Sequence, residues 1–418
     1  MLKIDCHCHV FDNDCVPVGG MLASRFGISL SRKAGEWIKK VKGGAEWTSI
    51  GNLLSFENFF FDVLALFRQA ADRQEKDSLF AVLKSPGDFL AFMKIGRLGI
   101  KKIAMELMRR APQMDIWVPL MVDMSHAYPG SGSARTYETQ KEIMSGLVLE
   151  AGGRFMPFYG FDPRGKDALD KAVRAIEGQG FVGIKLYPPL GFKPAENEEP
   201  GVEEALWNLY AFCCDSRPAI PITVHCSWSA GVYSNEHRPG IGNPKSYYRH
   251  LADPAHWRPV FARFPRLKVN FAHFGGLGEW AALAAGDTPR ERWSDTILEF
   301  MRDYENVYTD LSFHGLVTSP LADGYRKVLE KRIRGVEGKV LLGSDWYMLR
   351  IQCPLQNYWR SFETLMPDLY WRAVGENAFK FLASRATKEY FPRFFTANQR
   401  DLPKAYREPF NGAVPSSG

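Results

Sequence analysis

Two histidines stand two residues apart at the end of the first apolar run, where Met1-Leu2-Lys3-Ile4 leads into Asp5-Cys6-His7-Cys8-His9. In an extended strand, side chains two apart share a face. His7 and His9 then point to one spot, and Cys6 and Cys8 to the opposite side. Two imidazoles converging at a strand end are a ready pair of ligands for zinc or a similar divalent ion. By the same periodicity the cysteines read as small buried apolar groups. A His-x-His pair satisfied inside a core would look the same, so its partners decide. Four further residues qualify, each in a short apolar run: Lys185 in Val182-Gly-Ile-Lys185-Leu-Tyr, His225 closing Ile222-Thr-Val-His225, His273 closing Val269-Asn-Phe-Ala-His273, and Asp345 closing Val340-Leu-Leu-Gly-Ser-Asp345.

Those runs belong to a regular series. β-branched and aromatic stretches at Leu2–Val10, Ile116–Met124, Arg154–Phe161, Phe181–Tyr187, Ile220–Cys226, Leu267–His273, Asn306–Leu311 and Lys339–Asp345 predict eight strands. Between them the pattern turns helical. Leu169, Ala172, Val173 and Ile176 fall at i, i+3, i+4 and i+7, as do Leu206, Leu209, Tyr210 and Cys213. Further helices are expected from Pro254 or Ala255 onward, over Glu291–Tyr304 and over Asp323–Arg334. Alternating strands and helices imply parallel βαβ units, and eight of them predict an α/β (β/α)8 TIM barrel. A doubly wound sheet is the alternative, but no Gly-x-Gly-x-x-Gly follows the first strand. In a barrel the site lies at the carboxyl ends of the strands, which is where His7, His9, His225, His273 and Asp345 fall. The chain has only nine histidines, so four at such positions make a specific constellation.

One interval breaks the rhythm. The barrel is expected over 1–14 and 113–392. Residues 15–112 read as a helical insertion between the first two strands, with a Phe60/Val63/Leu64/Phe67 stripe and a second amphipathic stretch over Ile95–Arg110. It would cap the barrel mouth or make an oligomer contact compatible with a homodimer. Residues 393–418 are expected to form a tail that is mobile or draped over the surface.

These phrases resemble the amidohydrolase superfamily, in its amidohydrolase family 2 branch of metal-dependent TIM-barrel hydrolases and aminocarboxymuconate-semialdehyde decarboxylase-like enzymes. They are Asp5-Cys-His-Cys-His9, Gly183-Ile-Lys-Leu-Tyr-Pro-Pro189, Thr223-Val-His225, Ala272-His-Phe-Gly-Gly276, Gly343-Ser-Asp345 and Gly375-Glu-Asn-Ala378. The resemblance implies that His7, His9, His225 and Asp345 bind a divalent metal, Zn2+ being the first expectation, as one ion or two. It implies that His273 binds a second metal or contacts substrate, and that Lys185, where carboxylated, bridges two metals. In chemical terms, such an ion lowers the pKa of bound water from about 15.7 toward about 7. Asp345 is expected to take that water's proton and His273 to polarise a substrate carbonyl. Lys185, disfavoured as a buried ammonium, either becomes a bridging carbamate or binds a substrate carboxylate.

Softer candidates surround these. Asp5 is placed to orient a ligand. Tyr187, Trp228, Tyr233, His237, Arg238 and Trp346 follow strands and are candidates to line a pocket; Arg164 and Arg350 are candidates to clamp a carboxylate. His314, after the seventh strand, is a candidate substrate contact.

Composition bounds the rest. With 45% apolar and 24% charged residues the chain reads as an ordinary globular protein. A net charge of +6 without long basic runs argues for small acidic substrates and against nucleic acid. Seven scattered cysteines imply no disulfide framework. No stretch approaches the ~20 apolar residues of a membrane span, and no leader precedes Leu2, so a cytoplasmic enzyme is expected. Three functions follow: hydrolysis of an ester, lactone or amide; non-oxidative decarboxylation of an aromatic or unsaturated acid by a lyase; and a non-enzymatic barrel scaffold, which the occupied ligand positions disfavour.

Overall fold

The computed structural model describes residues 2–17, 94–128, 132–228, 244–286, 292–332 and 336–411. Most of the expected insertion (18–93, with its phenylalanine stripe) and the candidates Tyr233, His237 and Arg238 lie outside the described residues.

All eight expected strands form: β1 Ile4–Cys8, β2 Ile116–Pro119, β3 Phe158–Phe161, β4 Gly183–Leu186, β5 Ile222–Ser227, β6 Val269–Gly275, β7 Val307–Asp310 and β8 Val340–Leu341. Each pairing is parallel. β1 pairs with β2, and β3 to β8 run in sequence order as one sheet. Bridges span the two seams: Trp117 to Phe155 and Leu120 to Phe158 on one side, Cys8 to Trp346 on the other. This is the α/β organisation of a TIM barrel. His7, Lys185, His225 and His273 lie within their strands, and His9 and Asp345 follow theirs.

The described helices are α1 Ile100–Arg110, α2 Tyr137–Glu150, α3 Ala168–Gly178, α4 Pro200–Asp215, α5 Pro244–His250, α6 Arg258–Arg263, α7 Leu277–Ala284, α8 Trp293–Asp303, α9 Ser319–Arg332, α10 Leu355–Leu365, α11 Pro367–Val374, α12 Glu376–Leu382, α13 Phe391–Ala397 and α14 Lys404–Asn411. Among them, no helix is long and apolar enough to cross a membrane. The Ile95–Arg110 stripe becomes α1, whose Ile100, Ile103, Ala104 and Leu107 enter the same core as the strands. The tail beyond Pro392 is anchored as far as α14, because Phe394, Phe395, Leu402 and Phe410 are buried in that core.

At the foot of the barrel, Lys268 precedes β6. Its Nζ donates to the carbonyls of Lys380 and Ala383 at 3.0 and 2.7 Å, at the end of α12. Those carbonyls have no partner inside the helix. Burial pushes the Lys268 ammonium down to about 7. Asn377 likewise ties α12 to β8, donating to the carbonyls of Glu337 and Val340 at 2.8 Å each.

Candidate active site

The first and last strands meet more closely than ordinary side chains allow. A Cβ on Gly343 would stand 2.3 Å from His7 Cβ and 2.7 Å from His7 N. Glycine there lets the chain after β8 lie directly on β1. Asp5 fixes the junction, accepting hydrogen bonds from Ser344 N (2.9 Å), Ser344 Oγ (2.6 Å) and His7 N (3.3 Å). Burial lifts its carboxyl to about 7. Asp5 therefore positions backbone and leaves the rings of the histidines to others. The juxtaposition brings Asp345 to the His-x-His pair, with Oδ1 3.0 Å from His9 Nε2 and 3.5 Å from His7 Nε2. Cys6 and Cys8 face away into the apolar core, as the period of two requires.

The protons of these rings follow from their neighbours. His9 Nδ1 donates to the Leu120 carbonyl at 2.8 Å. His7 Nδ1 donates to Asp310 Oδ2 at 3.2 Å. Although burial opposes it, Asp310 is held well below the usual carboxylate range by the electrostatic attraction and hydrogen bond of the adjacent His7 ring. Burial pushes His7 itself down to about 4. In neutral rings, the lone pairs of both Nε2 atoms then face Asp345 Oδ1. Despite their closeness, neither His7 Nε2 nor Asp345 Oδ1 has a hydrogen-bond partner. Three acceptor atoms crowd one point with no proton to share. Unrelieved, that arrangement is costly; a divalent cation relieves it. The donors are imidazole nitrogen and carboxylate oxygen, which suit zinc and its neighbours. All three ligand atoms lie within 4.8 Å of one another, so the residues fit a metal ion.

His273 and His225 extend the group. Ring centroids run from His9 to His7 at 5.3 Å, from His7 to His273 at 4.9 Å and from His273 to His225 at 4.8 Å. His225 lies outside the tight His7/His9/Asp345 triplet, and the Tyr187 ring stacks on it at 4.3 Å. His273 Nδ1 lies 3.1 Å from the Ser312 carbonyl and 2.9 Å from Ser312 Oγ. The carbonyl only accepts, so Nδ1 carries the proton; the Ser312 hydroxyl points its own hydrogen at Asp310 Oδ1. His273 therefore presents Nε2 as an acceptor, and burial keeps the ring neutral by lowering its pKa. A neutral ring in this state accepts a proton or a metal. It does not donate to a substrate carbonyl, which revises the polarising role expected for it.

Lys185 on β4 is buried, and its Nζ has no hydrogen-bond partner. Burial lowers its pKa to about 8, against the pull of Asp310 and Asp345. It is the cation of the site, 5.7 Å from the Tyr187 ring centroid. Both His273 (φ 67°) and Asp345 (φ 54°) occupy the left-handed region. Non-glycine residues held there cost of order 1 kcal/mol or more and cluster where function demands their direction. His314 supports the first of them: its Nε2–H donates to the His273 carbonyl at 2.8 Å, and its Nδ1 accepts from the Tyr325 hydroxyl. Both of its nitrogens are thus engaged within the fold.

Several softer expectations are corrected. Arg164 is committed to Asp162, Nε to Oδ1 at 2.9 Å and Nη2 to Oδ2 at 2.5 Å. Trp346 pairs with Cys8 and shares its outward face, its ring 5.8 Å from the Arg110 guanidinium on α1. Trp228 packs edge-on against Trp293 and His250. The structure adds Asp310 and Ser312 to the site; Asp310 ends an apolar run, Val307-Tyr-Thr-Asp310, as Asp345 does.

Strand-end histidines and an aspartate gather at one end of the parallel α/β sheet as a candidate metal site. The amidohydrolase family profile matches residues 4–383, and the chain belongs to that family. No curated protein matches by sequence. Among solved structures, the chain is similar to the 5-carboxyvanillate decarboxylase of Sphingomonas paucimobilis (14% identity, 92% of this chain and 99% of that chain, TM-score 0.45). It is also similar to a probable 2-pyrone-4,6-dicarboxylic acid hydrolase of Acinetobacter baumannii (13%, 66% and 88%, 0.44). A third is a zinc-bound amidohydrolase of Burkholderia multivorans (14%, 72% and 95%, 0.46).

Proposed function

We propose that this enzyme of the amidohydrolase superfamily is a metal-dependent hydrolase of a small, anionic ester, lactone or amide. His7, His9 and Asp345 would hold the ion, with His225 and His273 beside them. The observation that carries the reading is the set of orphaned atoms: His7 Nε2, Asp345 Oδ1 and Lys185 Nζ, all buried and without hydrogen-bond partners. When bound, a divalent cation supplies positive charge and acidifies water. Asp345, kept ionised by its histidine neighbours although burial opposes this, accepts the proton of the attacking water and returns it to the leaving group. His273 Nε2 offers a second acceptor for that proton. Lys185, as the ammonium, pairs with the developing oxyanion or with a substrate carboxylate; as the free amine it is open to carboxylation and a second ion. Arg164 is paired with Asp162, and the buried Lys185 is the anion-binding group.

The stack of Tyr187 on His225 favours a second reading, decarboxylation of a flat aromatic acid lying on that wall. A panel of lactones, esters, amides and hydroxylated aromatic acids separates the two. Ring opening or acid release without carbon dioxide supports hydrolysis; carbon dioxide release from the aromatic acids alone refutes it. Loss of every activity on metal removal, with recovery on adding Zn2+, is expected in either case.

A further inference from the structure

Phe271 on β6 packs outward, its ring 5.6 Å from Trp257, 6.2 Å from Phe261 on α6 and 5.9 Å from Phe300 on α8. Asn270 points inward, donating from Nδ2 to Asp310 Oδ2 at 2.7 Å. In an unbroken strand His273, two residues after Phe271, would share that outer face. Its ring instead stands 4.9 Å from His7 and 4.8 Å from His225, inside the site. The reversal coincides with four consecutive positive φ angles: His273 67°, Phe274 44°, Gly275 83° and Gly276 103°. The glycines take that conformation readily; the histidine and phenylalanine do not. Residues with side chains stay there where the surroundings over-determine them.

Three successive carbonyls of the turn each accept a hydrogen bond from another element. The His273 carbonyl accepts from His314 Nε2–H at 2.8 Å, that of Phe274 from Trp280 Nε1–H at 2.9 Å, and that of Gly275 from Trp228 N at 2.9 Å. The two side-chain donors are themselves linked. Tyr325 on α9 donates its hydroxyl to His314 Nδ1. The Tyr325 ring lies 4.7 Å from that of Trp280 on α7, which lies 4.8 Å from that of Phe274. The contacts close a circuit from the His273 carbonyl through His314, Tyr325 and Trp280 to Phe274, and these side chains are buried. With the His273 N–H on Asp310 and its Nδ1–H on Ser312, Nε2 is the ring atom left to the metal centre.

We propose that His314 and Trp280 are positioning residues of the metal centre, gripping the turn that swings His273 from the outer face of β6 to the inner one. Their effect on turnover rests on the proposed role of His273 as a proton acceptor; their effect on the ring's direction does not. Spectra of 15N-labelled histidine and steady-state kinetics of the zinc-loaded enzyme test it. Trp280→Phe keeps an aromatic ring in place and removes the donor. The pair His314→Leu/Tyr325→Phe removes the other bond without stranding the Tyr325 hydroxyl. In each, the His273 ring resonances should move while those of His9 hold, and kcat should fall about tenfold or more at a KM within about twofold. His314→Gln, whose amide can donate to the same carbonyl, should recover most of the loss. Moved resonances with an unchanged kcat sustain the positioning role and refute proton acceptance by His273, which separates the two failures. Unmoved His273 resonances in Trp280→Phe and in the double variant overturn the proposal. So does a loss in His314→Gln equal to that of the double variant.

Discussion

Replacing Asp310 by asparagine tests the proton assignments directly. Oδ2 of Asp310 accepts from His7 Nδ1 at 3.2 Å and from Asn270 Nδ2 at 2.7 Å. Oδ1 accepts from His273 N at 3.1 Å, from Ser312 N at 3.0 Å and from the Ser312 hydroxyl. Five donors thus converge on one carboxylate. An asparagine must turn its NH2 toward one of these two groups. Facing the Oδ1 set, it meets two backbone N–H groups that cannot reverse. It is therefore expected to take the Oδ2 position and donate to His7 Nδ1. His7 then moves its proton to Nε2, the atom facing Asp345, and loses its capacity as a ligand there. Groups that orient a metal-binding histidine are worth about 10–100-fold in metal affinity, or about 1.4–2.7 kcal/mol. Chelator competition should show a loss in that range. The 15N shifts of the His7 ring should report protonation moving from Nδ1 to Nε2. A folded Asp310→Asn variant that binds metal within about twofold of the parent, with an unchanged His7 tautomer, refutes the reasoning.

Three further outcomes follow from the same structure. Asp345→Asn and His225→Ala should each lower kcat by about 100-fold or more while circular dichroism and gel filtration show an intact barrel; retained metal and activity would remove these residues from the site. Gly343→Ala drives a methyl into the His7 backbone, and backbone cannot yield as a side chain does; a loss of about 1–3 kcal/mol in denaturant unfolding, with weaker metal binding, is expected. Lys268 titrates near 7 when folded and near 10.5 when unfolded. Between those values the unfolded chain holds a proton that the folded chain has released, so stability should rise with pH by up to about 1.4 kcal/mol per unit. Lys268→Met should flatten that rise in urea titrations from pH 7 to 10, and an unchanged slope would assign it to other groups.

Much of the site was legible because a strand has a period of two and a barrel gathers its strand ends. Those two facts place His7 and His9 together, send Cys6 and Cys8 outward, and bring in His225, His273 and Asp345 from runs far apart in sequence. What escaped was whatever depends on direction within a loop. Arg164 carries the right charge after the right strand, but Asp162 two residues earlier captures it. Trp346 follows Asp345 immediately, but its bridge to Cys8 places its ring beside Arg110 on α1, and that pairing lies after β8 has ended. His314 was legible as a strand-end histidine, yet only its partners, the His273 carbonyl and Tyr325, show that both nitrogens are engaged.

The metal centre and its supports divide along the same line. His7, His9 and Asp345 offer lone pairs to one point, an arrangement that an isolated chain has no reason to adopt. Around them Asp310, Leu120 and Ser312 accept from the Nδ1–H of His7, His9 and His273, and Asp5 from His7 N, so these rings have no freedom to turn their protons inward. The second layer thus decides which atoms of the first are basic. Histidines at strand ends specify that a metal can bind; the aspartate at the end of β7, with no remarkable spacing of its own, specifies which nitrogen meets it. For that reason Asp310 is the residue whose replacement should separate a folded barrel from a metal-competent one.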